Sequence, residues 1–174
     1  MKNKVFACGL ALVSFPLCAL AQNPPAAQAT SAADAVQNEI ALVTRARTAA
    51  RSGDETTVDE QLAASTTLPE APAPGILLAR RAMILCGWLQ NENDPVRASK
   101  IATRVIAQLA ALKEGSDADH EERLYWEACL EARILDHKAR AIALLRAAEK
   151  LQPDDERLVD LELPLVVAVN TFGH

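Results

Sequence analysis

From Ser31 onward apolar residues return every three or four positions, the period of a helix with one buried face. Val36, Ile40, Val43, Ala46 and Ala50 make the first stripe, and Ser31 with Asp34 supplies a capping box ahead of it. Ser52, Gly53 and Asp54 break this helix, and Thr57 with Glu60 offers a second capping box before a shorter helix carrying Val58 and Leu62. Pro69, Pro72 and Pro74 stiffen residues 67–75 into an extended connector. A second pair follows. Ile76 to Leu89 is strongly apolar, Asn91 to Asp94 turns, and Asp94 as N-cap with Pro95 in the first turn starts a helix reaching Leu112. Gly115, Ser116 and Asp117 end it. A third pair runs from Asp119 to Leu135 and from His137 to Leu151, closed by Gln152 and Pro153. Another helix begins after Asp154, and Pro164 is expected to kink or stop it. No stretch alternates with period two for long enough to make a strand, so the fold class is all-α.

The first thirty residues follow a different rule. Lys2 and Lys4 precede an apolar run from Val5 to Leu20, and the small-residue pattern Ala19, Leu20, Ala21 stands before Gln22. Residues 1–21 therefore read as a cleavable secretory signal peptide, too short and too interrupted by Pro16 to span a bilayer. Residues 22–30, rich in Pro, Ala and Gln, read as a disordered tether, and 31–174 as the helical domain. The most apolar later segment, Leu161 to Val169, contains Glu162 and Pro164, so no membrane insertion is expected after cleavage. The expected location is periplasmic or secreted.

Export changes both charge and cysteine chemistry. The chain carries 23 acidic and 18 basic side chains for a net charge of -5. Loss of residues 1–21 removes two lysines and no acid, taking the charge to -7. No basic field is left to grip a phosphate backbone, which argues against a nucleic-acid partner. Cys8 and Cys18 leave with the signal, so Cys86 and Cys129 are expected to pair as a disulfide in an oxidising compartment. Closing that loop would restrict the unfolded chain by about 4 kcal/mol. Neither cysteine lies in a Cys-x-x-Cys motif, which favours a structural bridge over redox chemistry.

With Glu39, Ala79 and Glu122 as origins, the three helix pairs superimpose at spacings of 40 and 43 residues. The eighth residues are then Ala46, Cys86 and Cys129, and the second helices align Val58, Ala98 and Ala141, then Leu62, Ala102 and Leu145. The third unit carries Tyr125, Ala128, Cys129, Ala132, Ala141, Leu145, Ala148 and Pro153. On these residues the chain resembles the tetratricopeptide repeat family over 39–155, best in the third unit. Ser65 and Glu70 in the first unit, and Ala110 in the second, depart from the family pattern. The resemblance implies a right-handed stack of about three helix hairpins, a TPR-like α-solenoid, plus a C-terminal capping helix. In it the bridge would fasten the first helix of unit two to that of unit three. The first helices would line a concave groove with Arg47, Arg51, Arg80, Met83, Arg123, Trp126 and Arg133, holding a protein or peptide partner of the cell envelope. A structural or small-ligand-binding helical bundle is the alternative.

Catalysis finds no candidate constellation. His120 lies among Asp117, Asp119, Glu121 and Glu122, but Leu124 stands where a His-Glu-x-x-His site needs its second histidine. Carboxylates that favour a helix N-terminus account for the acidic run. His137 sits at a turn as a capping or exposed residue. Glu127 and Glu131 are four apart on one helix, as in any soluble helix, and no phosphate loop, nucleophile elbow or dinucleotide fingerprint occurs. No enzyme activity, metal or cofactor is expected.

Overall fold

The computed structural model describes residues 31–66, 72–113 and 115–172. The signal peptide and tether read from residues 1–30 lie outside these, as does most of the proline connector. Among the described residues every regular element is a helix: α1 Ala32–Ser52, α2 Glu55–Ala63, α3 Pro74–Asn91, α4 Pro95–Ala110, α5 Asp117–Arg133, α6 Lys138–Glu149 and α7 Glu156–Phe172. None of them is long and apolar enough to cross a membrane.

Local chemistry sets most of the boundaries. Ser31 and Asp34 form a reciprocal capping box, with the Asp34 amide donating to Ser31 Oγ at 3.1 Å. Gly53 ends α1 at φ 80°, a left-handed conformation that suits a residue without Cβ. The α2 cap departs from expectation. Asp54, not Thr57, is the N-cap, taking the Thr57 amide at 3.0 Å, because the tight Gly53 exit leaves room for only one residue before the next helix. Asp94 caps α4 with Pro95 at its first position, as the sequence implies. Pro74 likewise opens α3, two residues earlier than Ile76. Ser116 and Asp119, read as the end of the preceding helix and the start of the next, form the capping box of α5. Pro164 does not stop α7, which runs through it to Phe172.

Consecutive helices pair as α1 with α2, α3 with α4 and α5 with α6, while α3 packs against both α1 and α5 and α7 packs on α6. The side-by-side row α1–α3–α5 is the feature that positions the site. All nine residues aligned by the repeat register are buried: Ala46, Cys86, Cys129, Val58, Ala98, Ala141, Leu62, Ala102 and Leu145. Alanines at these contacts allow close helix approach, and leucines such as Leu85 and Leu109 fill the remaining volume at about 1.5–3 kcal/mol each. One cluster joins α1 to α4 with Leu130 and Ile134, a second joins α5 to α7, and Met83 and Trp126 pack against both. Val36 and Ile40 were expected in the core and are instead 57% and 50% exposed. The nine-residue α2 is too short to cover the first turns of the 21-residue α1.

Buried polar ties hold neighbouring hairpins together. Arg81 on α3 is 1% exposed. Its Nε and Nη2 donate to the two carboxylate oxygens of Glu39 on α1, both at 2.7 Å, and Nη1 donates to the Leu62 carbonyl near the end of α2 at 3.0 Å. Arg104 on α4 pairs with Glu55 and Asp59 of α2 at 2.7 and 2.9 Å, and Arg97 of α4 donates to the Ala50 carbonyl at the end of α1.

The expected Cys86–Cys129 disulfide is not formed; both are free, buried thiols. Each turns into its own hairpin instead of toward the neighbouring first helix. Cys86 donates to the Ala98 carbonyl of α4 at 3.3 Å, and Cys129 packs with Ala141 and Leu145 of α6. Burial pushes the Cys86 thiol up to about 12 and also raises that of Cys129, leaving both protonated and unreactive. Dithiothreitol is therefore expected to leave the melting temperature unchanged. Ellman's reagent should find neither Cys86 nor Cys129 in the native protein and both after unfolding; a reductant-sensitive melt would contradict this.

Candidate functional site

The row α1–α3–α5 carries all seven residues read from the sequence as a groove lining, and their environments separate them into two groups. On α1, Arg47 and Arg51 both pair with Glu92, the residue that ends α3; Arg51 Nη2 reaches Glu92 Oε1 at 2.6 Å. Arg47 also lies over the Trp88 ring, 5.0 Å from its centroid. On α5, Arg123 pairs with Glu127 one turn on, at 3.3 Å. Arg123 also lies against the α3 N-terminus, its Cδ within reach of a Cβ built at Gly75. These three arginines are engaged by carboxylates of the same molecule.

Arg80 and Arg133 are different. Both are exposed, and among the described residues no carboxylate pairs with either guanidinium. Arg80 of α3 lies over the Trp126 ring of α5 at 5.9 Å, so an arginine covers a tryptophan at this seam as Arg47 covers Trp88 at the α1–α3 seam, at a different place along the helices. Trp126 stands edge-on to Tyr125, with centroids 5.3 Å apart and planes at 77°, and its Nε1 donates to Glu122 Oε1 at 2.7 Å. At the other end of the seam the Gln90 side-chain amide donates to the Arg133 carbonyl at 3.3 Å, so α3 and α5 advance in the same direction. Gly87 lies between, and a Cβ there would meet nothing within 4 Å. Trp88, Glu92, Gln90 and Gly87 were not singled out from the sequence. Trp88 could have been, since it stands one residue beyond Gly87, the equivalent of Arg47 in the repeat register.

The back of α5 carries the strongest electrostatic perturbation. Glu121, 4% exposed, has one carboxylate oxygen enclosed without a hydrogen-bond partner. Burial, with the nearby charges of Asp155 and Glu122 and against the opposing charge of Arg157, pushes its pKa up to about 7. Arg157 of α7 reaches Glu122 at 2.7 Å, Asp155 at 2.6 Å and Glu121 at 3.6 Å while covering the Tyr125 ring at 4.9 Å. One guanidinium thus serves three carboxyl groups and ties α7 to α5. Lower down, Glu131, 1% exposed, pairs with Arg140 and with His137 Nδ1, both at 2.8 Å. His137 is the α6 N-cap position without a side-chain capping bond. These are joints between helices. Among the described residues no group of His, Cys, Asp and Glu is placed to hold a metal ion. No protein-family model, no curated protein and no solved structure matches the chain.

Proposed function

We propose that the chain is an exported tetratricopeptide-like scaffold: a right-handed stack of three hairpins capped by α7, holding a protein or peptide partner against its first helices without covalent chemistry. The observation that carries this reading is the repeated arginine-on-tryptophan contact, Arg47 on Trp88 and Arg80 on Trp126, at two successive seams of the α1–α3–α5 row. Flat aromatic anchors beside guanidinium groups are the residue types that dominate protein interfaces. Burial of all nine register-aligned residues and the order of helix packing support the repeat part of the reading. The alternative, a bundle that encloses a small ligand, has less to stand on. The cleft between Gly75, Leu112 and Arg123 holds about 110 Å³, against roughly 300 Å³ at the lower end for small-molecule sites, and the roomier hollows, about 390 Å³ beside Val96 and Lys100 and about 410 Å³ between Arg146 and Val166, are shallow and open to solvent instead of enclosed by the helices.

Arg80→Glu combined with Arg133→Glu tests the reading. Both side chains are exposed, so helicity should be unchanged, and capture of the partner from native envelope extract should be lost. Undiminished capture would remove the row as the binding face.

A further inference from the structure

We propose that the α3–α5 seam takes an extended acidic peptide, one carrying two carboxylates two to four residues apart, with one carboxylate on Arg80 and the other on Arg133. This rests on the binding face proposed above and names its ligand chemistry.

The cations of this face differ in whether their charge is already answered. Arg47 and Arg51 share Glu92, and Arg123 has Glu127, so their charge is answered within the molecule. Arg80 and Arg133 have no carboxylate partner among the described residues, although the chain as a whole has five more acidic than basic side chains. Glu122, one turn before Trp126, is held by the Trp126 indole and by Arg157. Two uncommitted guanidinium groups on an acidic protein are complementary to carboxylates, which they can bind in bidentate fashion.

Spacing selects the shape of the ligand. Trp126, under Arg80, and Arg133 are seven residues apart on α5, two helical turns or about 10 Å on nearly one face. An extended peptide advances about 3.3 Å per residue, so carboxylates on same-face residues two or four apart bracket that distance. Arg80, Met83, Gly87 and Gln90 follow one another at three- and four-residue steps along the facing side of α3. Open space at Gly87 and partly buried Met83 form a floor on which a peptide backbone can lie.

The test is fluorescence anisotropy on the mature chain with three labelled octapeptides, N-acetylated and C-amidated, alternating serine with glutamate, glutamine or lysine. The glutamate peptide should bind at least about tenfold more tightly than the other two, and progressively less well as salt rises. Arg80→Glu with Arg133→Glu should weaken it about a hundredfold, as expected for two lost charge pairs. Gly87→Leu, which builds outward from a position where a Cβ has free space, should weaken it about tenfold by filling the floor while its melting temperature stays that of the unaltered chain. Glutamine and glutamate peptides binding equally, yet losing affinity in Gly87→Leu, would overturn the acidic preference while leaving the face in place. Glutamate binding that ignores Arg80, Arg133 and Gly87 would overturn the site, and an oligothymidylate competing as well as the glutamate peptide would overturn a peptide ligand. No peptide binding, alongside envelope capture that still depends on Arg80 and Arg133, would overturn the inference and not the face; loss of that dependence as well would end both.

Discussion

Arg81→Ala is expected to lower unfolding stability by about 3–5 kcal/mol, the largest effect of any single substitution outside the apolar core. Arg81 is 1% exposed and makes three hydrogen bonds, two to Glu39 and one to the Leu62 carbonyl. Truncation leaves a partly buried carboxylate without its counter-charge, a buried carbonyl without a donor and a void the size of the lost side chain, and each of these opposes folding. Arg81→Lys should recover only part of the loss, because an ammonium cannot span two carboxylate oxygens and a carbonyl from one position. Glu39→Gln, at a residue about a third exposed, should cost about 1–2 kcal/mol. Urea midpoints at unchanged m-value give the comparison. A loss below about 1 kcal/mol in Arg81→Ala would mean that α1 is not pinned to α3 in this way.

The second large effect is on pH dependence. Burial holds the Glu121 carboxyl up to about 7, above the usual carboxylate range that applies when the chain unfolds. Between these two values the folded state binds more protons than the unfolded state, so stability falls as pH rises through that window. Burial also raises Glu127, with the same sign. Asp155, held low chiefly by hydrogen bonds from Arg157, acts in the opposite direction, its contribution being lost only as pH falls below the ordinary carboxylate range. The protein should therefore melt higher at pH 5 than at pH 8, with Glu121 responsible for on the order of 2–3 kcal/mol. Glu121→Gln, which keeps the shape and removes the charge, should raise the melting temperature at pH 8 and flatten the profile. Equal melting at pH 5 and pH 8, or a fall in Glu121→Gln at pH 8, would contradict the buried-carboxyl account.

The helices were legible because their signals are local. A 3.6-residue stripe, a serine three residues before an aspartate, or Asp94 followed by Pro95 acts within one or two turns, and the structure follows each of these apart from the exposed first turns of the α1 stripe at Val36 and Ile40. Two local signals misled, since Asp54 caps α2 in place of Thr57 and α7 runs through Pro164, and the other failures arose where the deciding partner is distant in sequence. Arg80 and Arg81 are adjacent and identical in type, yet Arg80 is exposed while Arg81 is buried against Glu39, 42 residues away. One local clue was present. Arg81 stands three residues after Leu78 and four before Leu85, inside the apolar stripe, whereas Arg80 lies outside it. Engagement of Arg47 and Arg51 by Glu92 spans about as many residues and has no local trace. Cys86 and Cys129 are both tightly packed, as expected of small residues at those positions. The expected bridge failed on their direction: Cys86 bonds to the Ala98 carbonyl of α4, and Cys129 lies in the cluster that joins α5 to α6 and α7.

On the proposed reading, the outer face of the α1–α3–α5 row, and not the second helices, meets the partner. A photo-crosslinking residue at Ile84, exposed on α3 one turn from Arg80, compared with one at Thr103, exposed on α4, tests it in cells. The account predicts a discrete adduct from Ile84, lost when Arg80 and Arg133 are reversed to glutamate, and none from Thr103. An adduct from Thr103 alone, or an Ile84 adduct indifferent to both arginines, would contradict it.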